Sequence, residues 1–226
     1  MGSRTVRRGT VTSTSAVARA TRATRSIAGK SPIERPVTHR GQEYQGDFAA
    51  TLAAAQVGEA WALRELFDWL GAPVAGFLRS RGAHDPDGSA NEVFLRTFRT
   101  VHTFRGDAYQ FRTWVFTITR NLLIDERRRA ARRVELVLVD GRTTAAEPFG
   151  NSENDALEAL GDDRVAELLS HLSPEQREVI ALRVIGDLSV DQVAAITGRG
   201  YEAVKALQRR GLAALRRALE REGVPK

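Results

Sequence analysis

The chain has 226 residues, 34 Lys and Arg against 28 Asp and Glu for a net charge of +6, a pI near 10.4, no Cys and 42% apolar residues. That length allows one large domain or two small ones, and the lack of Cys excludes a disulfide scaffold, thiol catalysis and every Cys-containing zinc site. Arg183 and Gly186 interrupt the best apolar stretch, which begins at Val179, so no run reaches the ~18 residues of a membrane-spanning helix; the expectation is a cytoplasmic protein with an anionic partner, nucleic acid first.

The charge is unevenly spread. Residues 1–46 hold nine Lys or Arg and two acids, net +7; residues 47–133 hold thirteen and ten, net +3; residues 134–163 hold one and eight, net −7; residues 164–226 hold eleven and eight, net +3. The signs divide the chain into a basic tail, a first domain, an acidic linker and a second domain. The tail is Arg, Thr, Ser, Ala and Gly with almost no hydrophobic periodicity, which predicts a solvated, disordered extension. The same composition also describes a transit peptide or a start codon assigned too far upstream, and neither is excluded by the residues.

From Asp47 onward the pattern is helical. Leu52, Leu63, Leu66, Phe67 and Leu70 form an apolar stripe that Gly71-Ala72-Pro73 is expected to interrupt or kink, with a further stretch from Val74 ending at Gly82 as C-cap. Asp85-Pro86-Asp87 predicts a helix start, and Ser89 to Glu92 offers a second capping box close by. The helix that follows sets Phe94, Leu95, Phe98 and Val101 on one face; Gly106-Asp107 breaks it. A long helix is predicted over 109–133, with Phe111, Trp114, Val115, Ile118 and Leu122 inward, completing a bundle of about four helices.

Seven of the fifteen aromatics (Phe94, Phe98, Phe104, Tyr109, Phe111, Trp114, Phe116) fall in this stretch, interleaved with Arg96, Arg99, Arg105, Arg112 and Arg120 and followed by Arg127, Arg128, Arg129, Arg132 and Arg133. Aromatic platforms beside cations suit unpaired bases, because every base has a stackable face and every nucleotide a phosphate. Phe94, Phe98, Trp114 and Ile118 share helical stripes and read as core. Residues 104–110 read as a loop, where ligand contact is the expectation.

The second domain opens on Ser173-Pro174-Glu175-Gln176, a capping box with Pro at the first helical position, and repeats the box at Ser189-Val190-Asp191-Gln192. The helix begun there stops at Gly198, and another runs over 201–219 with Val204, Leu207, Gly211, Leu215 and Leu219 as its stripe. Ala194, Gly198 and Val204 stand where a helix-turn-helix needs a small contact, a tight turn and a locking apolar residue. Ala206, Arg209, Arg210, Arg216 and Arg217 are expected to project opposite the stripe, with Lys205 at its border, on a cationic helix of the kind the major groove accepts.

These stretches carry a resemblance. Asn91-Glu92-Val93-Phe94-Leu95-Arg96, Phe104-Arg105-Gly106-Asp107, Trp114-Val115-Phe116 with Thr119-Arg120-Asn121, Asp125 with Arg127-Arg128, and Leu172-Ser173-Pro174-Glu175-Gln176-Arg177 with the helix-turn-helix resemble, in order and spacing, a bacterial RNA polymerase sigma factor of the extracytoplasmic-function family. The resemblance implies an all-α fold of two small helical domains, region 2 over 47–133 and region 4 over 164–226, joined by a flexible acidic linker over 134–163 that threads the RNA path. It implies core RNA polymerase as partner: clamp helices of the largest subunit against Asp85, Asp87, Asn91, Glu92, Phe94 and Leu95, and the flap of the second-largest subunit against the second domain. It implies melting of a minus-ten element by Phe104, Arg105, Gly106, Asp107, Tyr109 and Gln110 with Arg120, Asn121, Arg127 and Arg128. A minus-thirty-five element falls to Lys205, Ala206, Leu207, Arg209 and Arg210, although Ala206 and Leu207 stand where relatives often have Ser and Arg. An anti-sigma factor, often membrane-anchored in such families, is the implied regulator.

No chemistry is expected of the chain itself. It has no nucleophile and base pairing, no phosphate-cradling Gly loop and no His pair at ligand spacing, so neither a cofactor nor a small-molecule substrate is expected. A helix-turn-helix regulator acting without polymerase accounts for the second domain but leaves the aromatic and Arg cluster unexplained. Since the tail carries +7, the remainder is net −1; two cationic clusters held apart by an acidic linker are then expected to reach a promoter only with the polymerase.

Overall fold

The computed structural model describes residues 44–140, 165 and 167–221; the basic tail and most of the acidic linker lie outside the described residues. The elements formed by the described residues are helical: α1 (Phe48–Gln56), α2 (Ala60–Ser80), α3 (Pro86–Thr100), a 3-10 turn (Val101–Thr103), α4 (Ala108–Asp140), α5 (Pro174–Val184), α6 (Val190–Thr197) and α7 (Tyr201–Arg221).

Local sequence chemistry sets most of the ends. Asp47 caps α1 by accepting from the Ala49 and Ala50 amides, and Asp85 caps α3 by accepting from Gly88 N at 2.8 Å, with Pro86 beside it. The second box is not formed: Ser89 lies inside α3, buried, and its hydroxyl donates to Glu126 at 3.0 Å. Asp107 and Gln110 start α4 reciprocally, each side chain accepting from the other's amide at 2.7 and 3.0 Å. Ser173 with Gln176 and Ser189 with Gln192 form the two expected capping boxes, and Gly198 ends α6 at φ +71°.

Two boundaries differ from expectation. Helix α2 runs unbroken through Pro73. An interior Pro costs about 3 kcal/mol, but Leu66, Leu70, Val74, Phe77 and Leu78 are all fully buried, and burial of such side chains at about 1.5–3 kcal/mol each outweighs it. Helix α4 continues seven residues past Arg133 into the stretch assigned to the linker, and ends at Asp140, directly before Gly141.

The larger difference is in how the halves meet. One apolar core contains Phe77, Phe111, Trp114 and Phe116 together with Val179, Leu182, Leu188, Val193 and Val204, so the second domain is docked on the first and not held apart from it. Residues 111–119 of α4 are all buried. A helix on the outside of a bundle keeps a polar face in water; one buried all round has neighbours on every side. Helix α4 thus becomes the shared axis of both domains.

Candidate nucleic-acid interface

Helix α7 is held by α5 and α6. Val204 is fully buried and Leu207 nearly so, and Gly211 lets α5 approach closely, since a Cβ there would lie 2.9 Å from Ile180 Cγ1. This fixes the rotation of α7 and leaves Lys205, Arg209 and Arg210 exposed. Lys205 stands 3.9 Å from Glu202 and over the Tyr201 ring at 5.4 Å. Arg209 and Arg210 have no ion pair among the described residues. Ala206 is half-buried and Leu207 faces the core, so of the five positions expected at the minus-thirty-five element, three present cationic groups to solvent and one contributes packing.

The 104–110 segment is divided in role. Phe104 is only 4% exposed, stacked on Trp114 at 5.1 Å and edge-on to Phe111 at 5.2 Å. Its ring belongs to the core and not to the solvent-facing loop surface that the sequence suggested. Around it Arg105, Gly106 and Asp107 are exposed. Arg105 donates to the carbonyls of His102 and Phe104 at 2.8 and 2.6 Å, holding its guanidinium at the loop. Gly106 adopts φ +151°, and a Cβ there would meet Gln110 Oε1 at 2.3 Å, so the glycine permits the Asp107 and Gln110 cap. Gln110 is half-buried in that cap, and Tyr109 shares a hydrogen bond with Ser189 Oγ across the domain boundary. Burial, offset in part by that hydrogen bond, raises the Tyr109 phenol pKa.

Along α4 the cations diverge. Arg128 is exposed and Asn121 half-buried, whereas Arg127 donates to the Arg81 carbonyl. Arg120 donates through Nε to Glu178 of α5 at 2.9 Å. Arg112, which sequence reasoning counted only among the interleaved arginines, is buried 5.4 Å over the Trp69 ring and 3.6 Å from Asp187. Burial lowers its pKa and the Asp187 charge opposes that shift. The signal that α4 meets a second domain was present in its composition: between Phe111 and Thr119 only Arg112 is charged.

The α3 positions expected to face polymerase also divide. Asp85, Asp87, Asn91 and Leu95 are exposed, Leu95 by 50%, and Asp87 lies 3.6 Å from Arg79. Glu92 pairs with Arg96 at 2.6 Å. Phe94 is 2% exposed, in contact with Phe67 at 4.7 Å and Phe98 at 5.6 Å, and holds α3 against its neighbours rather than presenting a ring outward. No group of three or more His, Asp or Glu able to hold a metal ion occurs among the described residues, nor any helix long and apolar enough to cross a membrane.

Comparison with known proteins gives the arrangement a family. The model for Sigma-70 region 2 matches residues 61–133, and that for Sigma-70, region 4 matches residues 162–215. The chain is 32% identical over 167 residues to the ECF RNA polymerase sigma factor BldN of Streptomyces coelicolor, covering 73% of this chain and 63% of that relative. It is 31% identical over 177 residues to the ECF RNA polymerase sigma factor SigL of Mycobacterium tuberculosis, covering 77% of this chain and 98% of SigL. Among solved structures, CnrH in complex with the cytosolic domain of CnrY matches with a TM-score of 0.54 at 26% identity, over 76% of this chain and 97% of that one. The fold also matches that of sigma factor RpoE in complex with the anti-sigma factor NepR from Bartonella quintana, with a TM-score of 0.53 at 24% identity over 70% and 95%. With both domains matched in order on an all-helical frame, the chain belongs to the ECF RNA polymerase sigma factors of the sigma-70 family, non-catalytic subunits that direct transcription initiation.

Proposed function

We propose that this sigma factor binds core RNA polymerase through the outer face of α3, reads the minus-thirty-five element with α7, and opens the minus-ten element with the 104–110 loop and the arginines of α4. The observation that carries the reading is the rotation of α7, which leaves Lys205, Arg209 and Arg210 exposed while Val204, Leu207 and Gly211 face inward. A recognition helix so presented places its first turns near base edges and its arginines near phosphates. Asp85, Asp87, Asn91, Glu92 and Leu95 supply the polymerase contact, an acidic surface with one apolar anchor. Phe94 and Phe104 act from beneath, shaping the α3 surface and the loop.

Strand opening on this reading is a binding process. The chain contributes the partly exposed Tyr109 ring and phosphate contacts, a base on an aromatic face being worth ~1–3 kcal/mol, and the polymerase supplies the chemistry. An anti-sigma factor, of the kind bound to RpoE in the solved complex, is the proposed regulator, and the cytoplasm the proposed compartment. In vitro transcription with purified core polymerase on the host's promoters tests the reading. Initiation dependent on the chain supports it; absence of initiation together with failure to pull down core overturns it. Tight, specific duplex binding without polymerase would favour the helix-turn-helix regulator.

A further inference from the structure

The 104–110 loop is tied to a helix that lies far before it in the chain. Gln56, half-buried at the end of α1, donates through Nε2 to the Phe104 carbonyl at 2.9 Å and to the Val101 carbonyl at 3.3 Å. It stands outside residues 61–133, the stretch matched to Sigma-70 region 2. Helix α1 is itself fixed to the frame that carries the loop. The Tyr44 hydroxyl bonds Thr51 of α1 at 2.6 Å and Glu65 of α2, and Phe48 lies 5.6 Å from Phe111, the ring on which Phe104 also packs. The Gln56 amide therefore acts from a fixed base.

We infer that Gln56 is a positioning residue for strand opening: it holds the backbone of 101–105 in the shape that receives the unpaired strand, and keeps that shape when Arg105 turns from the loop to a phosphate. The inference rests on the reading of this loop as the partner of the minus-ten element. A carbonyl oxygen has two acceptor sites, and here both are used twice over. Val101 O accepts from Phe104 N at 3.0 Å as well as from Gln56, and Phe104 O accepts from Arg105 Nη1 at 2.6 Å as well as from Gln56. The Arg105 donor is the one with another use. Its side chain belongs to an exposed residue, and a guanidinium bonds a phosphate more strongly than a neutral carbonyl. The neutral Gln56 amide stays behind and retains the Phe104 carbonyl.

The loop needs such a tie on this side. Gly106 stands at φ +151°, where no side chain restricts the backbone. The reciprocal cap of Asp107 and Gln110 fixes the chain after that glycine, and Gln56 fixes it before. A loop ordered beforehand loses less conformational freedom when it takes up a strand.

Gln56→Met tests the role in the full chain. Methionine matches glutamine in length and helix propensity and brings neither donor nor charge. Each loop carbonyl keeps its second partner, so the melting temperature is expected to stay close to wild type. Gln56→Ser, polar and too short to reach either carbonyl, is measured beside it and carries the test if the Met variant does not fold. Hydrogen exchange at the Phe104 amide of the free protein is expected to quicken on the order of tenfold, with residues 111–119 of α4 unchanged. With reconstituted holoenzyme on a promoter carrying a fluorescent base in the minus-ten element, opening is expected to slow on the order of tenfold. Core binding and the affinity of the closed complex formed in the cold are expected to match wild type, whereas damage to the fold lowers all three together. Arg105→Ala on the same promoter separates the two readings. Slow opening by Arg105→Ala with wild-type opening by the Gln56 variants overturns the positioning role alone, as does an unchanged Phe104 amide. Wild-type opening by Arg105→Ala overturns the reading of the loop, and the inference with it.

Discussion

Truncation of Phe104 separates two roles for its ring. The side chain is 4% exposed, stacked on Trp114 with an interplanar angle of 27° and edge-on to Phe111 at 85°. Phe104→Ala removes a buried aromatic and leaves a cavity, at a cost of about 3–5 kcal/mol, against a total domain stability of roughly 5–15 kcal/mol. The variant is therefore expected to lose a large share of its stability, with a lower urea midpoint and an unchanged slope. Tryptophan fluorescence with far-ultraviolet circular dichroism measures the loss, since Trp114 lies against the ring. Exposed Arg105→Ala is expected to change stability by no more than about 0.5 kcal/mol while impairing promoter opening by the holoenzyme, read by permanganate footprinting. A Phe104→Ala chain that loses less than about 1 kcal/mol, well under the cost of truncating a buried Phe, yet fails to open promoter DNA would show that the ring faces the ligand.

Two further outcomes follow from the site. Asp85→Asn keeps the cap on α3, because Asn accepts from Gly88 N as Asp does, so its melting temperature is expected to stay close to wild type. Its affinity for core polymerase in a pull-down or interferometry measurement is expected to fall, and wild-type affinity would remove the Asp85 charge from the polymerase contact. The Tyr44 phenol is pushed up to about 12 by burial, then by its hydrogen bond to Glu65. A raised folded pKa means that its contribution is complete below pH 10 and is lost as the pH rises from 10 towards 12. The difference in phenolate absorbance between wild type and Tyr44→Phe is expected to titrate in that upper range while the fold persists; ionisation near pH 10 in the folded state would contradict the burial.

What was legible in the sequence was what a few neighbouring residues decide. Capping boxes at Ser173 and Ser189, the Asp85-Pro86 start and the Gly198 stop depend on bonds within four residues, and each formed as its spacing required. The rotation of α7 followed from one helical stripe. Positions that turned on long-range packing were less legible. Pro73 reads as a break until the burial of α2 on both sides of it is known. Phe104 follows a helix end, where loops ordinarily meet solvent, yet its ring folds back onto Trp114 and Phe111. Ser89 had a cap's spacing, but Asp85 had already started the helix one turn earlier. The meeting of the two domains left only an indirect trace, the shortage of charge between Phe111 and Thr119 of α4.

Charge shows why that meeting bears on function. A net of +6 describes a basic protein, but the tail accounts for it, and the remaining chain is close to neutral. Neutrality by itself does not separate two arrangements: cations dispersed and solvated, or cations matched one by one to acids. The structure is of the second kind where the domains meet, with Arg120 on Glu178 and Arg112 beside Asp187, and of the first kind on α7. A solvated arginine meets a phosphate by releasing counterions, whereas a paired one must first give up its carboxylate, so the two surfaces differ in what they cost to use. Of the arginines proposed for the minus-ten strand, Arg120 is of the paired kind and Arg128 is solvated, so on that proposal the two join the contact at different cost.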